Sequence, residues 1–347
     1  NYQNWYPSAE YETNNTIKNV GLFDLTPFSK FEIKSDKAHM ELQKICTANI
    51  KDEVGRCTYT QMLNSDGGIE ADVTVVCLDK NYFRIISSAA TRNRDIFHLK
   101  KHLSKEIELN DVTDDLCVFG LFGPKSRDLI KTISKDDFEN DNFKFGMAKF
   151  ITIEGVKIWA QRLSYVGELG YELYVEFEDA KKIYELIINK GQNFNLSNCG
   201  MHAMDIMRME SGFLHWGHDI SPEENQYQAG LSFAISYKKN IDFIGKQALD
   251  KIKKEKIKTR LAMFTLKDSK PGFPLVLHDE PIYLNNEIIG RTTSGNYSFN
   301  YKKNMSFGYI NTKFSNQELM NKDLFIEIAK KKYPVNIELK ALKSKKN

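Results

Sequence analysis

The hydrophobic pattern of the first hundred residues alternates between strand-like and helix-like spacing. Lys30–Lys34 alternates as a strand does, and Ser35–Asn49 has apolar residues at helical spacing. Thr58–Val76 and Tyr82–Ser87 predict paired strands around a turn, and Thr91–Ser104 predicts an amphipathic helix. Strands and helices in this order are typical of an α+β lobe rather than of a doubly wound parallel sheet.

A second round of the same pattern begins near Val112. The run DLCVFGLFGPKSRDLIKTI predicts a strand, a Gly-Pro break and a helix, and three short strands follow it. Ala180–Lys190 and Met201–Ser211 then predict helices. The opening residues, NYQNWYPSAEYE, are polar and aromatic without clean periodicity, so no element is predicted there.

The pattern changes after Tyr237, where short alternating runs with turn signals predominate. RLAMFTL, SFGYI, LFIEIA and YPVNIEL predict strands, and Asn285–Asn286 predicts a hairpin turn between two more. A C-terminal all-β barrel or sandwich fits this pattern. With 347 residues, the chain is longer than one compact core usually organises, so two or three domains are expected.

Composition and charge are those of an ordinary globular protein, and they do not by themselves indicate a function. The chain is 41% hydrophobic and 27% charged, and 49 basic against 46 acidic residues leave a formal net charge of +3. The lysine runs are more typical of solvated helix faces or tails than of a nucleic-acid site, and they lie at Lys251–Lys258, Lys330–Lys332 and Lys343–Lys346. No nucleic-acid partner is expected.

The sequence also argues against a membrane span and a disulfide framework. No apolar stretch approaches the roughly 18 residues of a span, and no signal-peptide pattern opens the chain. Five scattered cysteines without CxxC spacing favour a reducing compartment. We expect a cytoplasmic protein, or one of the mitochondrial matrix if the source is a eukaryote. Because the chain begins at Asn1, we expect a processed product or a piece of something longer.

The first candidate for chemistry lies in the run LNSDGGIEADVTVV. With a period of two, Glu70, Asp72 and Thr74 share one face of a strand, and the alanine and valines between them form an apolar face. An ordinary solvent-facing surface is the plain interpretation of the polar face. The preceding Gly67 and Gly68 let a backbone or a ligand approach closely, so a pocket is the alternative.

The second candidate is the run SYVGELGYELY, where glycines punctuate aromatic and acidic residues. A hairpin with a cross-strand aromatic pair is the plain interpretation. The alternative is a binding site, because a ring beside a carboxylate, such as Tyr165 and Glu172, suits a flat heterocycle with N–H donors. The run is not a phosphate loop, since no strand-to-helix change and no GxxxxGK[ST] pattern accompany it.

The third candidate is the run MHAMDIMRMESGFLHWGHDI. Its methionines at helical spacing are typical of core packing. His215 and His218, with Asp219 beside them, suggest a metal only weakly, because Gly217 lies between them and no third ligand is evident. No metal is therefore expected. Arg208 could pair with a neighbouring acid or with an anionic ligand.

Six collinear segments together resemble one family. They are GLFDLTPFSKFEI, YTQMLNSDGGIEADVTV, RLSYVGELGYELYV, AMDIMRMESGFLHWGHDI, QAGLSFAI with DFIGKQAL, and HDEPIYLNNEIIGRTTSG. In this order they resemble the folate-binding portion of the dimethylglycine dehydrogenase and sarcosine dehydrogenase family. That portion is similar to the aminomethyltransferase (T-protein) of the glycine cleavage system, and HWGHDI and HDEPIY point to the dehydrogenase branch.

The resemblance implies an α+β fold of the three-lobed cloverleaf type, with a C-terminal β-barrel lobe and a central tetrahydrofolate channel. We expect residues 1–47 and 113–237 to form one discontinuous α+β lobe, residues 48–112 a second, and residues 238–347 the barrel lobe. The resemblance also implies site roles. Asp72 of the GGxxxD pattern is the expected catalytic carboxylate, and the residues expected to bind folate are Tyr165, Glu172, Thr74 and Leu63.

The implied activity is tetrahydrofolate-dependent one-carbon transfer. An iminium or formaldehyde unit from demethylation of an N-methyl amine, dimethylglycine or sarcosine, would be captured as 5,10-methylenetetrahydrofolate. Because GxGxxG does not occur here, FAD is expected only on a separate domain or subunit, a flavin amine dehydrogenase partner. The alternatives are the T-protein aminomethyltransferase and a non-catalytic folate-binding or interaction subunit.

One position departs from the T-protein pattern. The T-protein has Ala-Arg-Asp where this chain has Ala203-Met204-Asp205, and that arginine helps to hold the folate tail. With Met204 in its place, the resemblance leaves the anchor of the tail open.

Overall fold

The computed structural model describes residues 3–255, 257 and 259–345, so Lys256, Lys258 and Lys346 of the lysine runs lie outside the described residues. The helices of the described chain, α1–α8, are Tyr6–Lys18, Ala38–Ile45, Arg92–His102, Ser126–Ile133, Phe177–Gly191, Met201–Glu210, Lys246–Lys254 and Asn316–Leu319. Its strands, β1–β17, are Val20–Asp24, Ser29–Lys34, Cys57–Leu63, Ile69–Asp79, Tyr82–Ser87, Glu108–Asp111, Leu116–Phe122, Ala148–Ile153, Val156–Gln161, Gly170–Glu176, Leu196–Cys199, Thr259–Leu266, Pro281–Leu284, Glu287–Ser298, Lys303–Asn311, Leu324–Ile328 and Lys331–Glu338. None of the described helices is both long and apolar enough to cross a membrane.

The first lobe is built on a six-stranded sheet in the order β11-β1-β7-β10-β9-β8. Helices α4 and α5 pack against its central strands. In α4 the apolar residues Leu129, Ile130 and Ile133 fall on one face, and all three are buried in the core of this lobe. This lobe contains β10, which carries Glu172.

The second lobe is built on a five-stranded sheet in the order β3-β4-β5-β2-β6. Strand β2 pairs antiparallel with β5, with Lys30 opposite Ile86. The predicted boundary after residue 47 assigns β2 and α2 to the first lobe, whereas this pairing places β2 in the second, and the buried residues of α2 lie in the core of the second lobe. The physical reason is burial, because Phe31 and Ile33 of β2 are fully buried in the second lobe's core. Alternation reveals the apolar face of a strand but not the sheet that receives it.

The C-terminal lobe is a closed barrel in the order β12-β15-β14-β13-β16-β17. The predicted hairpin at Asn285–Asn286 is confirmed, since it joins β13 to β14. Asn285 has a φ of 55°, in the left-handed region that asparagine tolerates better than most residues. The predicted α+β organisation with a C-terminal barrel is thus confirmed.

Helix α1 was not predicted from the sequence, because polar side chains attach it to the rest of the protein through hydrogen bonds. Its buried residues include Thr13, Asn15 and Thr16. The Asn15 side-chain amide donates to the carbonyl oxygens of Val20 at 3.2 Å and Asn195 at 2.7 Å. A helix anchored by hydrogen bonds lacks the apolar stripe that hydrophobic periodicity detects.

Candidate functional site

The β3–β4 hairpin positions the first candidate residues. The predicted strand Thr58–Val76 is two strands, joined by a turn in which Gly67 has a φ of +88°. A Cβ on Gly68 would lie 1.9 Å from the carbonyl oxygen of Pro222. The paired glycines therefore admit another part of the backbone, which fixes the start of β4 against the segment after α6.

The two faces of β4 have different surroundings. Ala71 and Val73 are buried in the core of the second lobe. Asp72 and Thr74, on the opposite face, line an internal cavity. Glu70 shares their face but lies nearer the turn, where it forms an ion pair with an arginine of α3. The polar face of the strand therefore reaches a pocket rather than bulk solvent at Asp72.

The cavity that contains Asp72, here called the first cavity, has a volume of about 720 Å³ and is lined by all three lobes. The predicted residues Asp72, Thr74, Tyr165 and Glu172 all line it. Its apolar wall includes Leu25, Phe28, Phe145, Phe213, Phe233 and Phe307. A few polar groups in an apolar wall of this size are typical of a site for an organic molecule.

Leu63, the remaining predicted folate contact, does not line the first cavity. It is fully buried in a separate apolar cluster that also contains Ile69 and Leu249. The hairpin register shifts between Met62 and Leu63, so the alternation that faces Gln61 toward Asp72 is interrupted there. This irregularity moves Leu63 out of the candidate site.

Asp72 is held by side chains of the neighbouring strand. Gln61 is its cross-strand partner, and the Gln61 side-chain amide donates to Oδ1 of Asp72 at 2.7 Å. The Tyr59 phenol also hydrogen-bonds to this carboxylate. Burial raises the pKa of Asp72 to about 6, and the two hydrogen bonds oppose that shift. The carboxyl group can therefore take up or release a proton close to neutral pH.

Glu172 has a different support. Its Oε2 accepts a hydrogen bond from the Tyr174 hydroxyl at 3.0 Å. The Arg84 guanidinium lies 5.3 Å from the centre of the Tyr174 ring and pairs with Glu32 at 2.6 Å. Burial raises the pKa of Glu172 to about 7, and the Tyr174 hydrogen bond opposes the shift. A ligand with N–H donors would stabilise the ionised form of this acid.

Tyr165 lies in the turn before β10. Its hydroxyl donates to the carbonyl oxygen of Leu214 at 2.6 Å, and its ring stacks on Phe213 with centroids 6.0 Å apart. Because the hydroxyl is engaged with the backbone, Tyr165 offers a ligand mainly the face of its ring.

A second cavity, of about 560 Å³, meets the first. Phe28, Asp72, Tyr165 and Leu214 line both. Its other lining is rich in acids and histidines, namely Asp24, His202, Asp205, His215, His218 and His278. Asp72 therefore lies where the two cavities join.

The positively charged Arg208 forms ion pairs with other residues of the protein. Its guanidinium is buried and pairs with Asp205 at 2.8 Å and Asp219 at 2.5 Å. These contacts attach the segment after α6 to the helix, so Arg208 is not free to bind an anionic ligand. Met204, which stands where the T-protein has arginine, is buried and lines the second cavity rather than the first.

The histidines of the second cavity do not form a metal centre with other ligands. The rings of His215 and His218 lie 4.6 Å apart, and burial, together with the charge of Arg208, lowers the pKa of His215. Across the part of the chain that the structure describes, no group of three or more His, Cys, Asp and Glu side chains could hold a metal ion.

Three residues of the site were missed from the sequence, namely Tyr59, Gln61 and Tyr174. A signal existed for the first two, because opposed residues of a β-hairpin share a face. Gln61 lies opposite Asp72, and Tyr59 lies opposite Thr74. Tyr174 follows Glu172 by two positions and so shares its face of β10.

Family models match this chain over most of its length. The GCVT N-terminal domain matches residues 1–239, and the glycine cleavage T-protein C-terminal barrel domain matches residues 259–342. The chain belongs to the glycine cleavage T-protein family. This membership confirms the resemblance carried by the six collinear segments.

Two relatives match nearly the whole chain but are much longer than it. The mitochondrial dimethylglycine dehydrogenase of Rattus norvegicus is 33% identical over 339 residues, which are 96% of this chain and 38% of that protein. The 4-methylaminobutanoate oxidase (formaldehyde-forming) of Paenarthrobacter nicotinovorans is 36% identical over 295 residues, which are 85% of this chain and 35% of that protein. The chain thus spans little more than a third of each relative.

A solved structure shows the same fold. The glycine cleavage system aminomethyltransferase T from Bartonella henselae superposes with a TM-score of 0.83 at 20% sequence identity, covering 95% of this chain and 88% of that one. The likeness confirms the T-protein type of cloverleaf that the sequence predicted.

Proposed function

We propose that this T-protein family member transfers a one-carbon unit to tetrahydrofolate, capturing the iminium ion or formaldehyde released when dimethylglycine or sarcosine is demethylated. The observation that carries the proposal is the junction of the two cavities at Asp72. The first cavity contains the partly buried acid Glu172, and the second contains acids and histidines. Two molecules approaching from separate cavities would meet at one carboxylate.

The residues of the first cavity fit a reduced pterin. An ionised Glu172 can accept two parallel hydrogen bonds from the pterin N3–H and 2-amino groups. Its raised pKa supports this fit, because burial leaves the anion short of donors that such a ligand supplies. Tyr165 would pack its ring against the ligand, and Thr74 lines the same cavity.

In this proposal, Asp72 would be the group that moves protons. Tetrahydrofolate supplies the nucleophilic N5 and N10 nitrogens that accept the one-carbon unit. Asp72 would exchange protons with these weakly basic nitrogens and stabilise positive charge on the incoming carbon. A pKa of about 6 suits this role, because the ionised form predominates at neutral pH while the acid remains accessible.

The second cavity is the proposed route of the one-carbon donor. Its lining includes Asp24, whose carboxylate favours a cationic species such as an iminium ion, while Asp205 is paired with Arg208. We propose that a flavin amine dehydrogenase domain or subunit, which holds FAD outside this chain, generates the donor. The names and greater lengths of the two relatives support this partner.

Calorimetry and a turnover assay test the proposal together. The chain should bind folinic acid, and it should accelerate the formation of 5,10-methylenetetrahydrofolate from formaldehyde above the spontaneous rate. Binding without acceleration would instead favour a non-catalytic folate-binding subunit. Failure to bind folinic acid would refute the proposal.

A T-protein aminomethyltransferase is the second candidate, favoured by family membership and by the likeness to the Bartonella henselae enzyme. Its donor would be an aminomethyl group carried by a lipoyl protein. Turnover with an aminomethyl-loaded carrier protein, and none with formaldehyde, would select this function.

A further inference from the structure

Asp72 is connected to a distant segment of the chain through two buried glutamines. Gln226 lies in the connection between α6 and the barrel, and its amide nitrogen donates to Oε1 of Gln61 at 2.5 Å. The amide nitrogen of Gln61 donates in turn to Oδ1 of Asp72 at 2.7 Å. Gln61 and Gln226 are both fully buried, so water does not compete for these bonds.

The contacts at the far end of this chain of hydrogen bonds are compatible with Gln226 acting as the donor. The Thr47 hydroxyl donates to the carbonyl oxygen of Ala234 at 3.1 Å, so its oxygen is available to accept from the Gln226 amide nitrogen at 3.0 Å. Gln226 therefore presents N–H groups to Gln61, which must present its own oxygen there. That leaves the Gln61 amide nitrogen facing Asp72, and a carboxylate is an acceptor for it.

We propose that Gln61 and Gln226 are positioning residues that form a one-way hydrogen-bond relay, which keeps Asp72 ionised and aimed at the junction of the two cavities. The relay's importance for one-carbon transfer rests on the proposed function, but the relay itself is a property of the folded chain. The segment that carries Gln226 also supplies Gly230 and Phe233 to the wall of the first cavity. The relay thus ties that wall to the ionisation of Asp72.

Among the residues that the structure describes, no lysine or arginine forms an ion pair with Asp72. The phenols of Tyr59, from β3, and Tyr165, from the turn before β10, interact with it. The other titratable side chains that line the second cavity with Asp72 are Asp24, the paired Asp205 and Arg208, and the histidines His202, His215, His218 and His278. Burial raises the pKa of both phenols, so neither is charged near neutral pH. Burial also raises the pKa of Asp72, and hydrogen bonds from Gln61 and Tyr59 are what oppose it.

Carbon-13 NMR of labelled aspartate carboxyl groups would read the ionisation of Asp72 without any enzyme assay. Its signal is the one missing from the Asp72→Asn variant. In Gln61→Met, the titration midpoint should move up by about one pH unit, and in Gln226→Met it should move up by less. Gln43→Met, which replaces a buried glutamine of the same lobe bonded to Asn49 and Ile50, should leave the midpoint unchanged.

A second variant covers the case in which the methionine substitutions prevent folding. Gln226→Glu keeps the side-chain shape, but its carboxylate would attract the Gln61 amide nitrogen and turn the Gln61 oxygen toward Asp72. The midpoint should again rise. In turnover, the acid limb of the kcat profile should move with the midpoint, while KM for folate stays within about twofold of wild type.

Unchanged midpoints in the folded variants would overturn the relay. A shifted midpoint in a chain that shows no turnover even as wild type would support the relay and count against the proposed function. The two ideas can therefore fail separately.

Discussion

Asp72 and Glu172 are partly buried carboxylates in one cavity, yet their surroundings differ in two respects. Asp72 is reached by both cavities, whereas Glu172 lines only the first. Asp72 is held by the Gln61 amide and the Tyr59 phenol, while Glu172 is held by the Tyr174 phenol, which lies against the Arg84 guanidinium. Burial raises the pKa of both acids, to about 6 and about 7.

The comparison indicates that two carboxylates of similar chemistry can have different roles because they lie at different positions in the site. A carboxylate at the junction can touch both reacting molecules, so its protonation state can matter in the transition state. A carboxylate that only one ligand reaches contributes mainly to binding. The predictions below separate these two roles, beginning with the largest expected effect.

Replacing Asp72 should abolish most turnover. In Asp72→Asn we expect kcat to fall by about 10²–10⁴-fold, because the amide cannot exchange the proton. Folinic acid affinity, measured by calorimetry, should change little. Glu70→Gln, on the same strand but outside the cavity, is the matched control and should keep near-normal kcat. An equal loss of binding and turnover in Asp72→Asn would contradict the division of roles.

Replacing Glu172 should weaken binding more than chemistry. Glu172→Gln presents an amide N–H to ligand donors, so folinic acid affinity should fall by about 1–3 kcal/mol. At saturating folate, kcat should stay close to the wild-type value. Glu176→Gln, at the exposed end of the same strand, is the control. If affinity is unchanged, the pterin lies elsewhere.

The two acids should produce two different pH dependences. Turnover at saturating folate should fall as the pH drops through about 6, where Asp72 gains a proton. Folinic acid affinity should fall as the pH drops through about 7, where Glu172 gains one. The loss approaches about tenfold per pH unit below each value. A single midpoint shared by the kcat and affinity profiles would contradict separate roles for Asp72 and Glu172.

The smallest expected effect comes from the support of Glu172. Tyr174→Phe keeps the ring beside Arg84 but removes the hydroxyl donor to Glu172, so the pKa of Glu172 should rise further. Affinity at pH 7 should fall by roughly 1 kcal/mol, and it should recover at higher pH as Glu172 ionises. Calorimetry at two pH values measures this, and a loss that persists at high pH would show that Tyr174 acts through packing alone.

The β3–β4 hairpin contains residues whose positions could be predicted from the sequence and residues whose positions could not. Alternation placed Asp72 and Thr74 on one face of β4, and the structure keeps them together. Leu63, which the family resemblance implied as a folate contact, instead packs in a different core, beyond a register shift in the hairpin. Pairing β3 with β4 would have revealed Gln61, but the sequence gives no sign of Gln226, which reaches Gln61 from 165 residues away.

The sequence by itself determined the amphipathic elements, the barrel hairpin at Asn285–Asn286 and the family, because these depend on local spacing and on collinear motifs. Only the tertiary structure decided that Ser29–Lys34 joins the second lobe, that polar helix α1 folds, and that two cavities meet at Asp72. These features depend on which surfaces cover each other across long stretches of chain. Local periodicity shows that one face of a helix or strand must be buried, but it does not show which other part of the chain will cover that face.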